Sequence, residues 1–148
     1  GTILDLYCGA GTISLCLARR AEKVIGAEIV PEAVENAREN ARLNGITNAE
    51  FLLGDAAEAA KNLADRGIHP DAVVVDPPRK GLSPEVIDEI CRMAPERMVY
   101  VSCNPASLAR DLKRFSEFGY APSVGIAVDM FPRTTHVETV VSMSRMEA

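Results

Sequence analysis

The chain has 148 residues, 47% of them hydrophobic and 25% charged, with a formal net charge of −5. That balance fits one globular domain with a sizeable core and excludes a disordered chain. No apolar run approaches the roughly 20 residues that a helix needs to cross a bilayer. The acidity argues against strong binding of a phosphate backbone by this piece alone, because such binding needs a basic surface. No secretory leader pattern opens the sequence, so the cytoplasm is the expected compartment. The abrupt start at Gly1-Thr2-Ile3-Leu4-Asp5, without an initiator Met, reads as part of a longer protein, with residues 1–148 forming a single domain.

Short β-rich runs alternate with helical stretches along the chain, the pattern of a parallel sheet covered by helices on both faces. A first strand is expected at Thr2–Tyr7, and it runs into Asp5-Leu6-Tyr7-Cys8-Gly9-Ala10-Gly11-Thr12. Gly9 and Gly11 let the backbone turn tightly and approach a ligand before a helix at Thr12–Ala21. Glycines used only for packing explain the same pair. A dinucleotide fingerprint would want a third glycine where Ser14 stands.

A second strand, Lys23–Glu28, ends in a carboxylate that is able to hold both hydroxyls of a ribose. A solvated Glu28 is the plainer alternative. The helix Pro31–Leu43 follows, with Pro31 in its first turn and Asn44-Gly45 as its exit. The third strand, Ala49–Leu53, leads to Gly54-Asp55 and a helix at Ala56–Arg66, which sets another carboxylate, Asp55, at a strand tip. Three such features on three successive tips point to a cofactor that carries adenosine. NAD and S-adenosyl-L-methionine both fit, but the pyrophosphate of NAD calls for the missing glycine. S-adenosylmethionine presents an amino-acid end suited to Asp5, and it is the favoured cofactor.

The fourth strand, Asp71–Val75, is apolar without alternation, as expected when both faces are buried. It runs into Asp76-Pro77-Pro78-Arg79-Lys80-Gly81, where two prolines stiffen the turn that holds Asp76. Amino-group methyltransferases place an aromatic residue where Arg79 stands here, which weakens that reading. After a helix at Ser83–Met93, the fifth strand, Met98–Ser102, delivers Cys103 just before the helix Pro105–Phe118. A thiol near a helix N-terminus has its thiolate stabilised. Cys16 and Cys91, on helices, read as core, and Cys8 as a small residue beside the glycine turn. No pair of cysteines has the spacing of a zinc site, and a cytosolic chain keeps its thiols reduced.

Two last strands are expected at Pro122–Val128 and Val137–Ser144. Glu138 near the start of the latter is either a general base, if burial raises its pKa, or a strand-edge carboxylate facing water. The adjacent His136 reads as structural, and Lys113 and Arg114 as a solvated helix face.

Asp5–Gly11 (DLYCGAG), Asp76–Gly81 (DPPRKG), Val99–Arg110 (VYVSCNPASLAR) and Asp129–Glu138 (DMFPRTTHVE) together resemble the RNA 5-methyluridine methyltransferase family. The four segments share the family's order and spacing and span nearly the whole chain; SCNP followed by HVE is the specific part. The resemblance implies a doubly wound, Rossmann-like class I S-adenosylmethionine-dependent methyltransferase domain: a mostly parallel seven-stranded sheet with an antiparallel last strand. It implies that Cys103 is the nucleophile and Glu138 the base, and that Tyr7, Glu28 and Asp76 line the cofactor and target pocket. The substrate implied is RNA, bound largely by an N-terminal region not present here. The wording of the Val99–Arg110 and Asp129–Pro132 segments favours 23S ribosomal RNA over tRNA. Arg133 departs from the histidine of many members.

Three rivals are weaker. A cytosine-C5 methyltransferase would place its cysteine after Pro or Thr, and a nicotinamide dehydrogenase would need the third glycine and a Tyr-Lys or His arrangement. A cofactor-binding scaffold without chemistry has no use for an intact Cys103 and Glu138.

Overall fold

The computed structural model describes residues 1–128 and 138–146. The segment Asp129–Val137, which includes Arg133 and His136, lies outside the described residues. The elements run β1 (Thr2–Leu6), α1 (Thr12–Ala18), β2 (Lys23–Glu28), α2 (Pro31–Leu43), β3 (Ala49–Leu53), α3 (Ala56–Asp65), β4 (Ala72–Val75), α4 (Pro84–Met93), β5 (Arg97–Ser102), α5 (Pro105–Glu117), β6 (Tyr120–Val128) and β7 (Glu138–Arg145). Local chemistry sets many of these boundaries. Ser83 caps α4 by accepting from the Val86 N–H at 3.3 Å, and Pro84 fills the first turn, where a missing N–H costs nothing. Asn44 closes α2 and Gly45, at φ 64°, carries the chain out; Gly119 does the same after α5 at φ 90°. The helix expected to reach Ala21 stops at Ala18, because the chain must turn so that the N–H groups of Glu22 and Lys23 reach the Gly1 carbonyl and start β2.

The strands form one sheet in the order β3-β2-β1-β4-β5-β7-β6. Neighbours from β3 to β5 pair in parallel, and β7 runs antiparallel to both β5 and β6. The expected class is therefore found, seven strands and the antiparallel last strand included. The chain steps outward from β1 to β2 and β3, then returns to build β4 and β5 on the other side. The order thus reverses between β1 and β4, and in open α/β sheets ligands bind at the carboxyl ends of the strands flanking that point.

One face of the sheet packs on α3, α4 and α5 through Leu4, Leu6, Val73, Val75, Met98 and Tyr100 against Leu63, Ile87, Ile90 and Phe115. Burial of each of the larger side chains contributes roughly 1.5–3 kcal/mol. Phe115 meets Tyr120 edge to face at 6.3 Å, and the Tyr120 hydroxyl donates to the Pro95 carbonyl at 2.6 Å. The opposite face carries a smaller cluster of Val34, Ala37, Ala41 and Phe51. Among the described residues no helix is long and apolar enough to cross a membrane.

Candidate active site

The first strand ends at Leu6, one residue earlier than expected, because Tyr7 turns into the left-handed region at φ 61°. A non-glycine residue there costs on the order of 1 kcal/mol or more, and such strain persists where the surroundings hold it. Tyr7 packs against the core beneath the strand tips, and burial first, then the charges of Asp55 and Asp111, push its hydroxyl up to about 12. The two glycines beyond it differ in kind. A side chain on Gly9 would meet nothing within 4 Å, so that position faces open space above the crevice. A side chain on Gly11 would press on Ala37 and Phe51 at 3.0 Å, and its φ is 84°, so packing and backbone account for this glycine.

Glu28, at the tip of β2, holds the turn down. Its two carboxylate oxygens accept from the N–H of Gly9 at 3.1 Å and of Val30 at 2.9 Å, and each keeps a further lone pair. Tyr7, Ala27, Glu28, Ile29, Gly54, Asp55 and Ala56 line a groove of about 50 Å³ across the tips of β1, β2 and β3. Asp55 has a structural task as well: its Oδ1 caps α3 by accepting from Ala57 N–H at 2.8 Å.

Asp5 is buried, one residue back from the end of β1. Its Oδ2 accepts from the Ser14 hydroxyl on α1 at 2.5 Å, while Oδ1 has no hydrogen-bond partner. The residue that stands in place of a third glycine is thus a donor to the carboxylate. Burial raises the Asp5 pKa from 3.8 to about 6, opposed by the Ser14 bond and reinforced by the charge of Asp76. Because the folded value is raised, the stability this group contributes is present below the unfolded value and is lost as pH rises through about 6. At ~1.4 kcal/mol per tenfold change in proton affinity, the loss is about 3 kcal/mol. Asp5→Asn is expected to gain on the wild type by that order between pH 4 and pH 7.5, read as the difference of their urea midpoints. A constant difference across that range would show that Asp5 is ionised without penalty.

Asp76 follows β4 directly and lies at the surface, yet desolvation by the site raises its pKa, and the charge of Glu138 adds to the rise. Charge coupling thus links Asp5 to Asp76 and Asp76 to Glu138 across the strand tips. Cys103 sits half-buried in the turn between β5 and α5. The Ser102 hydroxyl grips that turn, donating to the Asn104 carbonyl at 2.9 Å and accepting from the Asn104 N–H at 3.1 Å. The antiparallel ladder of β5 and β7 ends with Ser102 opposite Thr139. Cys103 and half-buried Glu138 are the residues next beyond that last pair, Cys103 after β5 and Glu138 at the start of β7. The same end of the sheet thus carries Asp5, Tyr7 and Gly9 on or after β1, Asp76 after β4, Cys103 after β5 and Glu138 at the start of β7, with Tyr7, Glu28 and Asp55 in the groove over β1–β3.

The other cysteines divide differently from expectation. Cys16 is exposed, not core, because it lies on the outward side of α1. Cys8 and Cys91 are partly buried, and burial pushes both thiols up to about 12. At neutral pH such thiols stay protonated and unreactive.

A model of the tRNA (uracil-5-)-methyltransferase family matches residues 1–146. The chain belongs to that family. Relatives within the same similarity range carry a broader name: an uncharacterized RNA methyltransferase of Bacillus cereus is 56% identical over 146 residues, 99% of this chain and 32% of the relative. One from Clostridium acetobutylicum is 51% identical over 145 residues, covering 98% of this chain and 32% of the relative. The chain thus spans about a third of the length of these curated relatives. Among solved structures, the Pyrococcus abyssi tRNA (uracil-54, C5)-methyltransferase in complex with S-adenosyl-L-homocysteine superposes with a TM-score of 0.84 at 40% identity, covering 95% of this chain and 33% of that one. An rRNA methylase of Streptococcus thermophilus, 13% identical with a TM-score of 0.78 over 99% of this chain and 87% of that one, shares the fold.

This tRNA (uracil-5-)-methyltransferase family member also holds a buried carboxylate that no single-residue feature of the sequence marks. Asp111 on α5 accepts from the Tyr100 hydroxyl at 2.6 Å and from the Leu82 N–H at 2.8 Å, and pairs with Arg110 at 3.1 Å. Tyr100 is wholly buried, and burial followed by that bond raises its pKa far above the usual range. The signal was present as period: Ser107, Leu108, Asp111 and Phe115 are all buried at the spacing of one helix face.

Proposed function

We propose that this chain is the catalytic domain of an enzyme that methylates C5 of a uridine in RNA, with S-adenosylmethionine as donor, Cys103 as nucleophile and Glu138 as base. The observation that supports the reading is the end of the β5–β7 ladder at Ser102 and Thr139, with Cys103 and Glu138 the next residues beyond it and the charge of Glu138 acting on Asp76.

The residues present fit the cofactor. The unpartnered Oδ1 of Asp5 is a buried acceptor that suits an ammonium group, and leaving it unpaired costs roughly 1–3 kcal/mol. Glu28, at the end of the groove, suits ribose hydroxyls, and Gly9 leaves the backbone open to close approach. When bound, S-adenosylmethionine supplies an electrophilic methyl group.

C5 of uracil is a weak nucleophile, and the protein's task is to make it a strong one. The Cys103 thiolate adds to C6, forming an S–C bond and moving the electron pair of the C5–C6 double bond into an enolate with carbanion character at C5. Once C5 is methylated, Glu138 takes the C5 proton. The electrons of that C–H bond restore the double bond as the S–C6 bond breaks, and the thiolate leaves. In this reading Asp76, followed by two prolines that stiffen its turn, holds either the base edge or the cofactor's amino end. The target uridine must leave its stacked context to reach the crevice.

A net charge of −5 and a span of one third of the relatives support RNA binding mainly by segments outside this chain. The RNA we assign is 23S ribosomal RNA, on the wording of the Val99–Arg110 segment. The test incubates the full-length gene product and S-adenosylmethionine with 5-fluorouridine-containing transcripts of ribosomal RNA and of tRNA. Fluorine at C5 does not leave as a proton, so the reading expects a denaturation-resistant adduct on Cys103 with the ribosomal transcript. An adduct with tRNA alone would reassign the substrate. None with either, despite cofactor and RNA binding, would overturn uridine C5 as the target.

A further inference from the structure

The loop after β4 is fastened to one side of α5. The Arg79 carbonyl accepts from Asn104 Nδ2 at 3.0 Å and from the Ser107 hydroxyl at 2.8 Å. The Lys80 carbonyl accepts from Arg110 at 2.6 Å, and the Leu82 N–H donates to Asp111 at 2.8 Å. Between them Gly81, at φ 77°, passes so close that a side chain there would meet Asp111 Oδ2 at 2.6 Å. Residues 104, 107 and 111 recur at helical spacing, so a single face of α5 serves as the template for this loop.

The fastening joins the two halves of the site described above. Asn104 directly follows Cys103, and its own backbone is clasped by Ser102. Arg79 stands three residues beyond Asp76, across Pro77-Pro78, whose rings fix φ and leave little slack. Fold stability alone does not require two side chains on this carbonyl, because Arg79 and Asn104 meet at the surface, where water would satisfy it. Asn104 also caps α5, its Oδ1 accepting from the Ala106 N–H at 3.0 Å.

We propose that Asn104 and Ser107 are positioning residues, which act through the Arg79 carbonyl to hold Asp76 in fixed relation to Cys103. The inference rests on the function proposed above. A misplacement of about 1 Å in a reacting pair lowers a rate by up to about 100-fold, so a modest slackening of this bridge is measurable.

Asn104→Ser is the informative substitution: serine caps a helix about as well as asparagine but is too short to reach Arg79. In the full-length gene product, the rate constant for the 5-fluorouridine adduct on Cys103 is expected to fall about tenfold in Asn104→Ser. The loss should be larger when Ser107→Ala is added, with the KM for S-adenosylmethionine moving less than about twofold. In an Asp76→Ala background the same Asn104→Ser should cost less than about twofold, because its effect runs through Asp76. Hydrogen exchange gives a readout free of activity: the amides of Gly81 and Leu82 should exchange at least about tenfold faster in the double variant, with the interior of α5 unchanged. An undiminished adduct rate, an equal loss without Asp76, or unaltered exchange at those amides would each overturn the proposal. Faster exchange in a protein whose wild type forms no adduct would leave the bridge standing and sink the uridine reading instead.

Discussion

Glu138→Gln is expected to trap RNA on the protein with ordinary uridine, with no fluorine at C5. Glutamine has the shape of glutamate but does not take up a proton at neutral pH, so the step lost is removal of the C5 hydrogen. The steps before it do not use the Glu138 carboxylate, and β7 keeps its register because the change is isosteric. Turnover should fall by about 10²–10⁴-fold, the range for a positioned general base. The trapped species should map to Cys103 and carry the transferred methyl group, which mass spectrometry of the digested adduct reads directly. Normal turnover in this variant would remove Glu138 from the mechanism. An adduct lacking the methyl group would place Glu138 before methyl transfer and not after it.

Cys103→Ala should have the largest effect of any single change. Without the thiolate there is no addition at C6, C5 stays a poor nucleophile, and methylation is expected to fall by about 10⁴-fold or more. Binding of S-adenosylhomocysteine, measured by calorimetry, should change by less than about twofold, because Cys103 is not among the residues lining the groove over β1–β3. Residues that act as a unit are not additive, so Glu138→Gln placed on Cys103→Ala should cost nothing more. A protein that methylates uridine without Cys103 would refute covalent catalysis outright.

What could be read in advance and what could not divide along physical lines. Element boundaries set by local chemistry were legible: Ser83 and Pro84 start α4, Asn44-Gly45 ends α2, and Gly119 ends α5. Ala72–Val75 shows burial on both faces through its lack of alternation. Cys103 was visible because it stands beyond a strand and before a helix. The left-handed Tyr7 was not legible, since nothing in its side chain asks for positive φ. Asp55 stands at a strand tip as a ligand residue would, yet Asp55-Ala-Ala-Glu58 also has the form of a helix start, and in the structure it caps α3. Asp111, between Arg110 and Leu112, looks like part of a solvated face when read one residue at a time. Only the helical period shows that it must point inward. That Cys103 and Glu138 stand at the same end of two neighbouring strands depends on strand order, a tertiary fact that sequence spacing does not encode.

The position of β7 also has a consequence for the timing of assembly. Parallel strands β1 to β5 are built by successive crossovers through α1 to α4, each closing a loop of modest length, whereas β7 lies between β5 and β6 and pairs with both. Strand β6 reaches the sheet only through β7, so its place depends on β7 having paired with β5. Cys103 follows β5, in the part built by crossovers, and Glu138 opens β7. On the roles proposed for them, a chain in which β7 has not yet paired would hold the nucleophile without its base. If those roles hold, the pairing of β7 is what would complete the site.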